Sequence, residues 1–406
     1  VICPFSPKAK RFIARDPADD KLQNLLIGSV RSGKTWAMLV KMLALCRYDI
    51  GGKRYIVGWS RDVVMRNVLT DLFALVGSKN YQYNLASGHL KLFDTDWWVI
   101  SANDDAAYKQ IQGSTVGVAY LDEVCNIPES FYLMLLSRLS LSGSRLYGTS
   151  NPGPPNHYIK TRLDDPEQAQ DIWHETFNLD DNLSLSEEVK QRLKRSFSGV
   201  FYSRYIEGKW VRAEGLIYRD CLDGKNFYDD ESAPPGLRQA RKFEHTVGCD
   251  VGTVNQFALL LMIDTGREIY IDREFCWDSK KEARQKTNGE YAEDLIRFMP
   301  PDAQVVVDPA AASFKAEMLN RGIWYTDAEN DVLGGLGLLA SLFSLGLLKI
   351  HRVNCPILTR QLENYSWDSK AIERGGKEAP LKIDDHFPDA LRYLCKTRIT
   401  EWRLSA

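Results

Sequence analysis

Up to about Asn151 the chain alternates short apolar runs rich in β-formers with stretches of helical period: NLLIG, a helix from Lys34 to about Tyr48, RYIVGWS, a helix near Val63 to Leu75, WWVISA, then VGVAYLDEV and RLYGTSNPG. Strands alternating with helices at this spacing predict a doubly wound α/β domain on a parallel sheet. From Pro152 to about Gly208 the sequence turns charged and helix-rich, as in SEEVKQRLKRSFSGVFYSRYIEGKW, and a helical lid region is expected there. The polar, proline-containing DDESAPPGLRQARKFE places a linker at 209–243. A second pattern follows. HTVGCDVG, FALLLMID and EIYIDREFCW read as three consecutive strands, then comes a helix, then the strand AQVVVDP, so 244–406 is expected to form a mixed sheet. The first domain accordingly spans 1–208, with its lid at 152–208, and no internal repeat is evident. The longest apolar run, Leu333 to Leu348, has 16 residues with four glycines and two serines. That is short of the roughly 20 needed to span a bilayer, and it predicts a buried helix.

A length of 406 residues agrees with two or three domains. The 52 basic and 54 acidic residues nearly cancel, so any polyanionic partner must meet a local patch. Eight cysteines at 3, 46, 125, 221, 249, 276, 355 and 395 show no C-x-x-C pair and read as reduced thiols. The start carries no basic-then-apolar leader, and since the chain opens on Val1 rather than Met, a few preceding residues are expected.

Gly28, Ser29, Val30, Arg31, Ser32, Gly33, Lys34 and Thr35 match G-x-x-x-x-G-K-[ST] in full, after an apolar strand and at the opening of a helix. In such a loop backbone N–H groups turn toward phosphates, Lys34 reaches the β and γ oxygens, and the Thr35 hydroxyl holds Mg²⁺. The strand VGVAYLDEV delivers Asp122 and Glu123 to its carboxyl end, where open α/β sheets bind ligands. Asp122 is expected to hold Mg²⁺, and Glu123 to orient or deprotonate water. That pair favours hydrolysis of ATP over phosphorylation of a small molecule. Thr149, Ser150 and Asn151 end another strand and are candidates to sense the γ-phosphate, or else form a plain turn into Pro152. Arg31 is a candidate to neutralise charge on the γ-phosphate; its alternative is a solvated loop residue. Upstream, PFSPKAKRFI offers aromatic and basic groups against which an adenine could stack.

The second domain carries acids at strand ends: Asp250 in VGCDVG, Asp308 in VVVDPAA, and Asp384, Asp385 and Asp389 with His386 in DDHFPDALRYL. A buried carboxylate must be paired or bind a cation. If the strands of Asp250 and Asp308 are neighbours, these two acids can converge with Asp389 on a pair of divalent ions about 4 Å apart, suited to phosphodiester cleavage. His386 and Asp389 lie three apart on a helix and project to one side, so one can ligate while the other assists. Asp384 and Asp385 read as helix-start acids.

Taken in order, the phosphate loop, AYLDE, GTSNP, VGCDVG, VVVDP and DDHFPDALRY resemble the large terminase subunit of tailed bacteriophages, over nearly the whole chain. The resemblance implies a P-loop ATPase of RecA/ASCE type followed by an RNase H-like nuclease. It implies that ATP with Mg²⁺ drives double-stranded DNA into an empty capsid, while two Mg²⁺ or Mn²⁺ serve the nuclease that cuts concatemers. It also implies a ring of copies on the portal protein, a small terminase subunit that selects DNA, and work in the cytoplasm of an infected bacterial host, with no membrane. Lys34, Thr35, Asp122 and Glu123 match the family's ATPase positions and Thr149–Asn151 its coupling segment. Asp250, Asp308 and Asp389 match its metal-binding acids, and His386 a position that is histidine in part of the family. YSWDSKAIERGGKEAPLKIDD looks like the family's β-hairpin beside the nuclease site. The glutamine that contacts adenine in many relatives is not evident, with Ala9 and Lys10 in its region. For a trans-acting arginine the sequence offers Arg138 and Arg145. Rival readings are an ATP-dependent nuclease or helicase of DNA repair, and a structural module that only senses nucleotide; no second α/β half with helicase motifs follows Asn151.

Overall fold

The structure is a computed structural model and describes residues 4–239, 242–252, 256–369 and 378–399. The chain divides into two compact units, Val1–Lys190 with Tyr202–Arg212, and Gln191–Phe201 with Ala213–Ala406.

In the first unit eight strands form one sheet: β1 (Gln23–Gly28), β2 (Lys53–Gly58), β3 (Tyr81–Asn84), β4 (His89–Leu92), β5 (Thr95–Ser101), β6 (Val116–Asp122), β7 (Arg145–Ser150) and β8 (Ile172–Phe177). Their spatial order is β3-β4-β5-β2-β6-β7-β1-β8. The run from β5 to β8 is parallel. β1 and β6 are buried along their whole length, as befits strands covered on both faces. Alternate residues feed two cores: Leu26, Ile56, Val118 and Tyr120 on one face, Leu25, Ile27, Val57 and Leu121 on the other.

Two features depart from the expected parallel sheet and helical lid. β3 and β4 form an antiparallel hairpin on β5. β8, inside the segment expected to be helical, adds in parallel to β1. As an edge strand it buries fully only Ile172 and Phe177, so its sequence, IWHETF, lacks a continuous apolar run. The helix after β2 runs through Arg61–Val64, Met65–Leu69 and Thr70–Val76, and its middle segment is a π-turn.

The second unit holds a seven-stranded sheet of β9 (Phe227–Tyr228), β10 (Glu244–Val251), β11 (Gln256–Asp264), β12 (Ile269–Asp278), β13 (Gln304–Val307), β14 (Thr326–Asp327) and β15 (Leu348–His351). The order is β14-β13-β10-β11-β12-β15-β9, antiparallel across β10, β11 and β12 and parallel elsewhere, hence mixed as expected. Residues 213–239 are no free linker. β9 is one edge of this sheet, and Tyr218, Cys221, Tyr228 and Leu237 are buried. Proline and aspartate there do break regular structure, but the interspersed aromatics anchor the segment.

The apolar run 333–348 divides between the helix Val332–Ser344, buried through most of its length, and the start of β15. The last helix, His386–Arg398, packs on β10 and β11. Its close approach requires glycine at 248, where a Cβ would stand 2.5 Å from Leu394 Cγ and 3.0 Å from the Ala390 carbonyl. The seven described cysteines are free thiols, and no described helix is long and apolar enough to cross a membrane.

Candidate active sites

The phosphate-loop motif leaves β1 at Gly28, whose backbone lies against β8 so closely that a Cβ would fall 1.8 Å from the Phe177 carbonyl. Ser29 N–H donates to Phe177 O (2.8 Å) and Val30 N–H to Tyr205 O (2.7 Å). Arg31 adopts φ 54°, and Gly33 at φ 90° caps the helix Lys34–Leu45. The Arg31 side chain is exposed while its carbonyl accepts from Asn182 Nδ2 at 2.6 Å. Lys34 Nζ donates to Ser29 O (2.6 Å), Gly28 O (3.2 Å), Ser32 Oγ (3.3 Å) and Asn151 Oδ1 (3.3 Å). Burial lowers the Lys34 pKa to about 8 against the opposing pull of Glu123 and Asp122. Thr35 follows, half-buried on the first turn.

Asp122 closes β6 and is buried. Its Oδ1 accepts from Tyr120 OH (3.1 Å) and Thr149 Oγ1 (3.2 Å), and its Oδ2 from Asn67 Nδ2 (3.5 Å). Glu123 is half-buried in the left-handed region at φ 51°, a costly conformation for a non-glycine residue and one concentrated at functional sites. Its Oε2 accepts from Ser150 Oγ and Asn151 N–H, both 3.3 Å. Burial and the Asp122 charge raise its pKa to about 7, while burial raises that of Asp122 itself. Because β7 lies between β6 and β1, it sets Asn151 between Glu123 and Lys34. Thr149, a candidate phosphate sensor, is instead turned onto Asp122.

Three contributors went unread in the sequence. Tyr120 had a signal, standing two residues before Asp122 on the same face of the strand. Asn67 had none, since it lies in the π-turn of another element, 55 residues before Asp122. His157 holds the loop after Glu123 through Cys125 O at 3.0 Å. Of the upstream aromatics, Phe12 is fully buried and stacked on Trp173 at 5.6 Å, which removes it as a platform for a base. Arg145 is engaged by the Pro17 and Ala18 carbonyls (3.0 and 2.8 Å), and Arg138 Nε by Ser137 Oγ (3.1 Å).

In the second unit Cys249 pairs with Val307 across parallel β10 and β13, which brings Asp250 and Asp308 to corresponding positions one residue further on. Asp250 is buried, with Oδ2 2.7 Å from His386 Nδ1. Burial raises its pKa; His386 opposes, while Asp389 and Asp308 add to the rise. For His386, burial would lower the pKa, but the hydrogen bond and charge of Asp250 prevail and raise it. Buried Asp389 accepts at Oδ1 from Arg392 (3.1 and 3.3 Å) and Tyr365 OH (3.5 Å), and at Oδ2 from Lys382 Nζ (2.8 Å). Lys382 also pairs with Asp385, the residue just before the helix, at 2.9 Å. Half-buried Asp308 accepts from Ala310 N–H at 2.9 Å.

The four expected ligands thus share one end of the sheet, but Asp250 is turned to an imidazole and Asp389 to two protein cations. Among the described residues no three His, Cys, Asp or Glu side chains stand in a metal-holding arrangement. The donor set, three carboxylates and an imidazole beside paired cations, still suits hard divalent ions once those pairs open. Of the expected hairpin, the flanks pair, with Trp367 bridged to Pro380 and Leu381 N–H donating to Ser366 O at 2.8 Å; residues 370–377 lie outside the described residues.

Residues 25–220 match the family model described as terminase large subunit, T4likevirus-type, N-terminal. The large terminase of a thermophilic bacteriophage is 33% identical, with 98% of this chain and 99% of that one covered and a TM-score of 0.88. Its complex with ADP gives 33% identity, 97% and 99% coverage and a TM-score of 0.87. Its complex with ATP-γ-S gives 33%, 96% and 98%, and 0.85. No curated protein sequence matches the chain. With its P-loop and acid pair on one sheet and its carboxylates on another, the chain belongs to the large terminase family, the ATPase and nuclease enzymes of bacteriophage DNA packaging.

Proposed function

We propose that the first unit hydrolyses ATP to move double-stranded DNA into a procapsid and that the second cuts the concatemer. The observation that carries this reading is the convergence of Lys34, Asp122, Glu123 and Asn151 at the carboxyl ends of β1, β6 and β7. The complexes of the thermophilic phage terminase with ADP and ATP-γ-S support a nucleotide in the same role here. The amides of Arg31 to Thr35 and the Lys34 ammonium hold the phosphates, and exposed Arg31 reaches charge developing on the γ-phosphate. Thr35 and Asp122 would hold Mg²⁺, which neutralises phosphate charge when bound. Glu123, with its raised pKa, takes the proton of the attacking water, and Asn151 links that base to Lys34, so Ser150 and Asn151, both bonded to Glu123, can register hydrolysis.

In the second unit Asp250, Asp308 and Asp389, with His386 assisting, would hold two Mg²⁺ or Mn²⁺, which screen the scissile phosphate when bound. Charge complementarity then requires Lys382 and His386 to give way from the carboxylates they pair with. The wider assembly we propose is a ring of copies on the portal protein, fed with DNA by a small terminase subunit in the cytoplasm of the infected host. The test is DNA packaging into purified, portal-bearing procapsids with ATP. Protection of DNA from added nuclease supports the motor; ATP turnover and DNA cutting without protection would favour a repair enzyme.

A further inference from the structure

The helix after β2 spends a π-turn at Met65–Leu69, closed by Thr70 N–H and by Thr70 Oγ1 (2.8 Å), both donating to Met65 O. Such turns interrupt regular helix bonding and are concentrated at functional sites. Val64, Val68, Leu69 and Leu72 form the buried stripe of the helix. In that same turn Asn67, otherwise solvent-exposed, directs its amide to Asp122 Oδ2 at 3.5 Å. The two oxygens of Asp122 are not equivalent. Oδ1 is occupied by Tyr120 and Thr149 hydroxyls, whereas Oδ2 carries the Asn67 amide alone and keeps a lone pair open.

We infer that Asn67 is a positioning residue of the ATPase site, fixing the Asp122 carboxylate so that Oδ2 is presented to the divalent ion that accompanies the nucleotide. The inference rests on the ATPase reading above and adds the residue that sets its metal affinity. Partners of this kind behind a ligand commonly change metal affinity by about 10–100-fold. With a long contact at an exposed position, the lower end, about tenfold, is expected here.

The test uses the full chain with ATP-γ-S, following Mn²⁺ binding by electron paramagnetic resonance and nucleotide binding separately in EDTA. Asn67→Ala should weaken Mn²⁺ binding about tenfold and leave metal-free nucleotide binding and the melting temperature unchanged. Asn67→Gln, with the amide on a longer arm, should recover part of the loss. Unchanged Mn²⁺ affinity in Asn67→Ala, an equal loss in both variants, or weakened nucleotide binding in EDTA would each overturn the assignment. Lys34→Ala run alongside separates the two levels. If it binds nucleotide normally, the ATPase reading fails; if it does not while Asn67→Ala matches wild type, only this inference fails.

Discussion

Glu123→Gln perturbs stability and catalysis in opposite directions. Burial and the Asp122 charge raise the Glu123 carboxyl from 4.5 to about 7, although Lys34 and the Asn151 and Ser150 donors pull the other way. Above that pH the site holds two carboxylates against one ammonium, and glutamine reduces it to a single opposite pair. At about 1.4 kcal/mol per tenfold, the rise is worth about 3 kcal/mol. Because Glu123 is only half-buried, screening by solvent discounts this to about 1–2 kcal/mol. A carboxyl with a raised folded pKa favours the fold fully below its unfolded value, 4.5, and that contribution is lost as pH rises through about 7. Without nucleotide, the variant and wild type should therefore melt together near the lower value and separate as pH climbs. By about pH 7.5, still below the Lys34 value of about 8, the variant should be higher by about 4 °C in the first-unit transition. The glutamine carbonyl can still accept from Ser150 and Asn151, so ATP binding should persist. Turnover should fall by about 10²–10⁴-fold with the loss of a general base. Scanning calorimetry across pH and a phosphate-release assay provide the readouts. Equal melting at that pH would refute the electrostatic argument, and near-native turnover would refute the choice of base.

Lys34→Ala should abolish ATP binding in equilibrium dialysis while leaving metal-dependent DNA cleavage intact, since the two sites lie on different sheets. Asp389→Ala should end plasmid cleavage and destabilise the second unit by about 3 kcal/mol, because Arg392, 1% exposed, loses its carboxylate. His386→Ala should impair cleavage less, and chelation by EDTA should stop it in every variant; cutting that persists in EDTA would remove the metal site. Lys382→Ala should lower the Mn²⁺ concentration needed for half-maximal cleavage, because its ammonium no longer competes for Asp385 and Asp389. An unchanged Mn²⁺ titration would mean that this pairing does not compete with the metal.

The ATPase acids and phosphate loop were legible because each sits at the end of an apolar strand, where chain direction alone sends a side chain to the ligand-binding edge of the sheet. The edge strands were not. β8 carries alternating polar residues, and β9 is two residues long within polar sequence, so neither leaves a hydrophobic signature. Contacts made from a local irregularity were hidden for a related reason. A π-turn has no compositional mark, and at 55 residues apart there was nothing to connect Asn67 with Asp122.

The carboxylate cluster shows a different boundary. The sequence could say that Asp250, Asp308 and Asp389 must be neutralised once buried, and β10 pairing with β13 does bring the first two together. It could not say by what. Asp250 is met by His386, and Asp389 by Lys382 and Arg392, the first and last of these side chains on the closing helix and Lys382 just before it. A site that balances its own acids can fold before any divalent ion arrives, and metal affinity then becomes a competition between that ion and three side chains. Of the three, Arg392 is buried and also bound to Asn330, so it is the fixed member. Lys382 is 64% exposed along its side chain and can leave at little cost in burial, which makes it the cation that metal displaces first.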